Sequence, residues 1–121
     1  MLNIEDTEFG KVTVNGQTYD HDIVVLSNNI IKRKKWITKE KHGTSHKFTR
    51  DEMGEYMETV TSQKIDRVVI GTGQYGKLSL LPETEEYLEE KDIEYELKKT
   101  SDLVDEEIDE ERSLVIIHVT C

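Results

Sequence analysis

A chain of 121 residues with 35% hydrophobic and 35% charged side chains has room for one domain, 1–121, with one compact core and a heavily solvated surface. Its net charge of −10 speaks against general binding to nucleic acid or to anionic membrane, since both are polyanions. No apolar run approaches the roughly 20 residues that cross a bilayer.

Met1 to Gly10 carries Glu5, Asp6 and Glu8 without an apolar stretch, so it reads as neither a secretory nor an organellar leader. The lone Cys121 excludes an internal disulfide and suits a reducing compartment. These features read together as a soluble cytoplasmic protein.

In chain order, residues 1–8 are polar and read as a frayed end. From Phe9 to Val14 apolar and polar residues alternate, and Asn15-Gly16 follows. Asn-Gly between two strand-like runs predicts a tight hairpin, because both central positions of that turn need positive φ. The second strand continues through Tyr19 to Ile23-Val24-Val25-Leu26. Ser27-Asn28-Asn29 breaks it, and Ile30-Ile31 opens a shorter third strand.

Between residues 32 and 50 stand eight basic side chains and the single acid Glu40, a local charge of +7 that leaves −17 for the remainder. A nuclear-import or nucleic-acid patch is one reading of this run. The more economical reading is a solvated, mobile edge that balances the acidic body and discourages edge-to-edge strand pairing.

Thr49-Arg50-Asp51-Glu52 has the form of a capping box, with Phe48 and Met53 placed as its hydrophobic staple. Met53, Tyr56, Met57 and Val60 then form one apolar stripe, which predicts a helix over 50–61. Ile65 to Ile70 reads as a strand buried on both faces that runs into the glycine-rich turn Gly71-Thr-Gly-Gln-Tyr-Gly76. Pro82 suits the first position of a second helix, and Glu83, Glu85 and Glu86 favour its positive end.

Ile93, Tyr95 and Leu97 alternate as a further strand. Thr100 or Ser101 caps a short third helix with Leu103, Val104 and Ile108 on its apolar face. Asp102 to Glu111 holds seven carboxylates and reads as a solvated face, since the spacing matches no calcium loop. Leu114 to Cys121 closes the chain as a buried strand. Strands separated by helical crossovers predict an α/β layer on a sheet that the N-terminal hairpin extends.

Gly71 to Gly76 matches G-x-G-x-x-G, but the dinucleotide reading fails on context, because the helix starts at Pro82 rather than within the glycines. A plain tight turn remains, with a small-anion site on its backbone amides as the alternative. His46, His118 and Cys121 suggest a Cys/His pair, yet strand alternation points His118 and Cys121 to opposite faces. His42 and His46 are spaced as helical metal ligands, but Gly43 and Thr44-Ser45 read as loop. His118 among apolar neighbours reads as a core histidine with a satisfied hydrogen bond, so no metal site is assigned.

The succession Phe9-Gly10, Tyr19-x-x-Asp22-Ile23-Val24-Val25, Gly43-Thr44-Ser45-His46, Val69-Ile70-Gly71-Thr72-Gly73, Pro82-Glu83-Thr84, Thr100 and His118-Val119-Thr120-Cys121 resembles the Mth-type domain family over residues 9–121. Its eukaryotic relatives include an adipogenesis-associated Mth-domain-containing protein and a mitochondrial complex I assembly factor. The resemblance implies a three-layer α/β fold with a mixed central sheet, an added N-terminal β-hairpin and about three helices. It implies no established activity, no cofactor and no agreed catalytic residues. Where many members carry an Asn-centred segment, this chain has Asp105-Glu106-Glu107.

The expected function is a non-enzymatic binding or assembly-helper module with a possible protein partner, no membrane and no cofactor. The alternative is a small-molecule or anion-binding protein, in which Gly71, Thr72, Gly73, Gly76, His46, His118, Thr120 and Cys121 are the candidate ligand-binding residues. Direct nucleic-acid binding is the least favoured reading, and no catalytic residue is assigned.

Overall fold

The structure, a computed structural model, describes residues 2–26, 29–43, 46–60, 65–109 and 111–120, with the backbone alone for Lys41 and His42. The chain begins with β1 (Ile4–Glu8), β2 (Lys11–Val14), β3 (Gln17–Tyr19), β4 (Ile23–Leu26) and β5 (Asn29–Lys32). Helix α1 (Trp36–His42), β6 (Lys47–Phe48), α2 (Arg50–Thr59) and β7 (Arg67–Thr72) follow. β8 (Ser79–Leu80), α3 (Pro82–Glu90), β9 (Glu94–Lys98), a 3-10 turn (Thr100–Leu103) and β10 (Ser113–His118) complete it.

β5, β4, β10, β7 and β9 hydrogen-bond in that order as one central sheet. β10 is parallel to β7, and β7 to β9, whereas β4 runs antiparallel to both β10 and β5. Strand alternation divides the core in two. Val24, Val68, Ile70, Leu114 and Ile116 face the helices, where Met53, Tyr56 and Leu88 cover them. Ile23, Val25, Val69, Val115 and Ile117 face the other way, against Ile4, Val12 and Val14 of the antiparallel sheet β1-β2-β3. The result is the expected three-layer α/β fold with a mixed central sheet and an N-terminal β-hairpin.

Several local expectations hold for the expected reasons. Asn15 and Gly16 take φ of 50° and 82°, as the hairpin turn requires. Thr49 accepts the Glu52 amide at 3.2 Å and caps α2, and Pro82 opens α3. Val68, Val69 and Ile70 are fully buried.

Other expectations are corrected. Residues 2–8 are not frayed: Leu2 and Ile4 are buried, and β1 pairs with β2. The hairpin does not extend the central sheet but covers its face, because the chain breaks at Asp20–Asp22 before β4. Within the basic segment lies α1, closed by Gly43 at φ 68° donating to the Lys39 carbonyl. The third helix shrinks to one 3-10 turn, and the Thr100 hydroxyl bonds to neighbouring strand ends instead of capping it.

Candidate functional site

Two strand registers bring three polar residues into line. Ile23 pairs with Lys32 across β4–β5 and with Ile117 across β4–β10. One step further, Asp22 therefore stands between Arg33 and His118, and the Arg33 amide continues the ladder to the Asp22 carbonyl at 2.9 Å. Asp22 Oδ2 accepts from His118 Nδ1 at 2.7 Å and from Arg33 Nη1 at 3.1 Å, while Oδ1 accepts from the Val119 amide at 2.9 Å. All three side chains are buried.

The first turn of α2 supplies the second acid. Glu52 accepts from Arg33 Nε at 2.7 Å and Nη2 at 3.0 Å, from the Thr38 hydroxyl at 2.6 Å and from the Tyr56 hydroxyl at 2.8 Å. Tyr56 in turn accepts the Lys34 amide at 2.7 Å. Half of the predicted capping box is thus absent. Thr49 caps Glu52, but the Glu52 carboxylate turns inward, and Thr38 Oγ1 accepts the Thr49 amide instead. The Arg33 guanidinium lies 5.0 Å from the Phe48 ring centre, which shields it from water.

These contacts set the protonation states. Burial pushes the Asp22 carboxyl up, but the hydrogen bond and charge of His118, the Val119 amide and Arg33 outweigh it and bring it to about 2. Burial lowers the affinity of Arg33 for its proton, and Glu52 and Asp22 more than restore it. Burial and the adjacent Glu52 push Tyr56 above the ordinary phenol range. Because ionised Asp22 can only accept, Nδ1 of His118 carries its proton.

The other ring nitrogen, Nε2 of His118, lies 3.4 Å from Thr120 Oγ1. The His46 ring meets the His118 ring edge-on at 5.2 Å between centres. Burial, then the neighbouring His118, holds His46 below the ordinary imidazole range. A carboxylate-oriented imidazole beside a hydroxyl is an arrangement that can bind a hydroxyl or carbonyl ligand and exchange a proton with it.

The glycine turn is joined to this cluster, since the Gln74 amide donates to the Thr120 carbonyl at 2.7 Å. Its glycines serve packing and turn geometry. A Cβ on Gly71 would lie 2.9 Å from Thr100 Oγ1, and Gly73 and Gly76 take φ of 101° and 67°. Thr72 donates to the Lys98 carbonyl at 3.0 Å. The amides of Gly73, Gln74, Gly76 and Leu78 all donate within the protein, so few remain to cradle an anion.

His46, His118 and Thr120 therefore converge, the glycine turn reaches them through the Gln74 amide, and Cys121 lies outside the described residues. His42 closes α1 while His46 lies beyond Gly43, so the two do not share a helix. Among the described residues no group of three or more His, Cys, Asp or Glu is arranged to hold a metal ion.

Sequence reading missed Asp22, Arg33, Glu52 and Tyr56 as one unit. The available signal was an arginine inside a lysine run, since guanidinium is the cation suited to a buried two-pronged pair. It also missed three exposed aromatics. Phe9 is 58% exposed and Tyr75 67% exposed, with ring centres 6.1 Å apart, and Trp36 stands 59% exposed at the start of α1.

Fold and cluster define a small three-layer α/β protein with a buried charge network at the carboxyl ends of its parallel strands. The chain belongs to the family described as protein of unknown function (DUF498/DUF598), whose model matches residues 4–106. It is similar to the conserved hypothetical protein PH1505 from Pyrococcus horikoshii OT3, with 43% identity, 98% of this chain and 99% of that chain covered, and a TM-score of 0.83. A solved structure named MT938 is 29% identical over 100% of both chains, with a TM-score of 0.65. XCC1710 from Xanthomonas campestris is 12% identical over 98% of this chain and 85% of that chain, with a TM-score of 0.59, and shares the fold alone. No curated protein matches the chain.

Proposed function

We propose that this protein is a non-enzymatic binding or assembly-helper module of the Mth-type kind, acting in the cytoplasm on a protein partner. Among the described residues no helix is long and apolar enough to cross a membrane, which is compatible with that reading. The observation that carries it is the exposed ring pair of Phe9 and Tyr75, set where the β1–β2 turn Phe9-Gly10 comes beside the glycine turn. Gly10 donates to the Val119 carbonyl there at 2.8 Å, so both aromatic-bearing turns are tied to the end of β10. Two water-facing aromatics held by rigid backbone contacts supply anchor area at little entropic cost.

Charge indicates the partner. The body outside residues 32–50 carries −17, and Asp6 and Glu8 lie on the strand leading to Phe9. The occupant is therefore a basic protein segment with an apolar anchor residue. Panning a random peptide display library should enrich such sequences, and Phe9→Ala with Tyr75→Ala should abolish the enrichment. Enrichment of acidic peptides, or peptides held equally by the double variant, would refute it.

A second reading rests on the His118 Nε2–Thr120 pair, which would accept a small hydroxyl- or carbonyl-bearing ligand. A ligand at 100 times its dissociation constant adds roughly 2.7 kcal/mol. A metabolite that raises the melting temperature of the parent protein but not of His118→Asn would favour this reading. A screen with no such compound would retire it.

A further inference from the structure

The basic segment holds a cavity of about 470 Å³ lined by Lys32, Arg33, Lys34, Lys35, Trp36 and Lys39, a volume within the usual range of small-molecule sites. Not all of these cations are equivalent. The Arg33 guanidinium is consumed by Asp22 and Glu52, and the Lys34 ammonium lies 2.8 Å from Glu55. Lys32, Lys35 and Lys39 form no ion pair among the described residues, and no acid lines the cavity. Beside these ammonium groups Trp36 exposes 59% of its surface, in a chain where most apolar side chains are buried.

Uncompensated ammonium groups in a chain of net charge −10 concentrate positive potential in one place. An exposed indole next to them offers a stacking face for a planar ring. We propose that this cavity binds a phosphorylated ligand carrying a planar ring, the chemistry of a free nucleotide, with phosphates on Lys35 and Lys39 and the ring on Trp36. The site is separate from the Phe9–Tyr75 rim and does not depend on the function proposed for it.

Trp36 is the only tryptophan, so its fluorescence reports on this cavity alone. ATP, added to the whole protein with excitation beyond the adenine band, is expected to quench the emission saturably. Lys35→Ala with Lys39→Ala, two side chains outside the core, should weaken the effect about tenfold, the counterpart of about 1.4 kcal/mol. Lys11→Ala, on β2, should leave it unchanged, and the melting temperature of each variant confirms folding. Inorganic pyrophosphate quenching as strongly as ATP would overturn the role of the ring. An oligonucleotide that binds where ATP does not would replace the proposal with an extended polyanion surface, and no response to ATP would end it.

Discussion

Arg33 and Glu52 form a two-pronged ion pair inside the protein, Nε to Oε2 at 2.7 Å and Nη2 to Oε1 at 3.0 Å, with neither side chain exposed. The pair fastens the end of β5 to the first turn of α2, joining the central sheet to the helical layer. Two acids, Asp22 and Glu52, share the one guanidinium, and hydroxyls of Thr38 and Tyr56 fill the remaining acceptor positions of Glu52. Burying charge is tolerable here because each is paired and hydrogen-bonded.

Removing one partner should therefore cost far more than removing a surface pair. Glu52→Gln keeps the shape but leaves Arg33 short of a counter-charge, and should lower stability by about 3–5 kcal/mol. Lys34→Ala breaks the half-exposed contact with Glu55 and should change stability by less than about 1 kcal/mol. Urea unfolding of both variants measures the difference, and equal costs would deny the buried pair its anchoring role.

Asp22 should govern acid stability. Its carboxyl is brought down from 3.8 to about 2, so the folded state holds the anion more strongly than the unfolded chain does. The stabilisation is present in full above the unfolded value of 3.8 and is lost as pH falls through about 2. A shift of this size corresponds to about 2 kcal/mol. Denaturant titrations across that window should show the loss in the parent protein, and a flatter profile in Asp22→Asn.

His46 should act in a higher window. Its folded value lies below the ordinary imidazole value of 6.5, so the unfolded chain takes up a proton first. Stability should fall as pH drops below 6.5 towards the folded value. His46→Gln removes this slope, and proton NMR of the imidazole should show an early-acid titration. A His46 resonance titrating above the ordinary imidazole range would contradict the packing against His118.

Thr100 should be among the least replaceable polar residues. Its hydroxyl donates to the His118 carbonyl at 2.6 Å and accepts the Gly73 amide at 2.9 Å, tying the 3-10 turn to the ends of β7 and β10. Thr100→Val strands a buried donor and a buried acceptor, a loss of about 2 kcal/mol or more. Gly71→Ala drives a Cβ into the same hydroxyl and the Leu103 side chain, with an expected cost of about 1–3 kcal/mol. Amide exchange at Gly73 should quicken in Thr100→Val, and unchanged exchange would refute the bridge.

Much of the architecture was legible because it follows from local rules. Asn15-Gly16 demanded positive φ, Thr49 and Pro82 marked helix starts, and the run Val68-Val69-Ile70 could only be a strand covered on both faces. The N-terminus was misread although Leu2 and Ile4 alternate with polar neighbours, because their burial depends on β2 and Ile108 across the fold. The seven residues of α1 were misread because a short lysine-rich helix has little apolar periodicity, and Gly43 was its one local sign.

The candidate site was legible only in pieces. His46, His118 and Thr120 stand among the sequence's candidates, but Asp22 reads only as part of the strand that continues through Tyr19 to Leu26, Arg33 as one basic side chain among many and Glu52 as a capping acid. Nothing in their sequence spacing relates them. By itself the sequence determined that a small acidic α/β body would place a glycine turn after a buried strand, since periodicity, turn chemistry and composition act over a few neighbouring residues. Only the tertiary structure decided that two strand registers and the first turn of a helix would bring one arginine, two acids and a histidine together. Electrostatic pairing acts through space, and its partners are chosen by the packing of the layers.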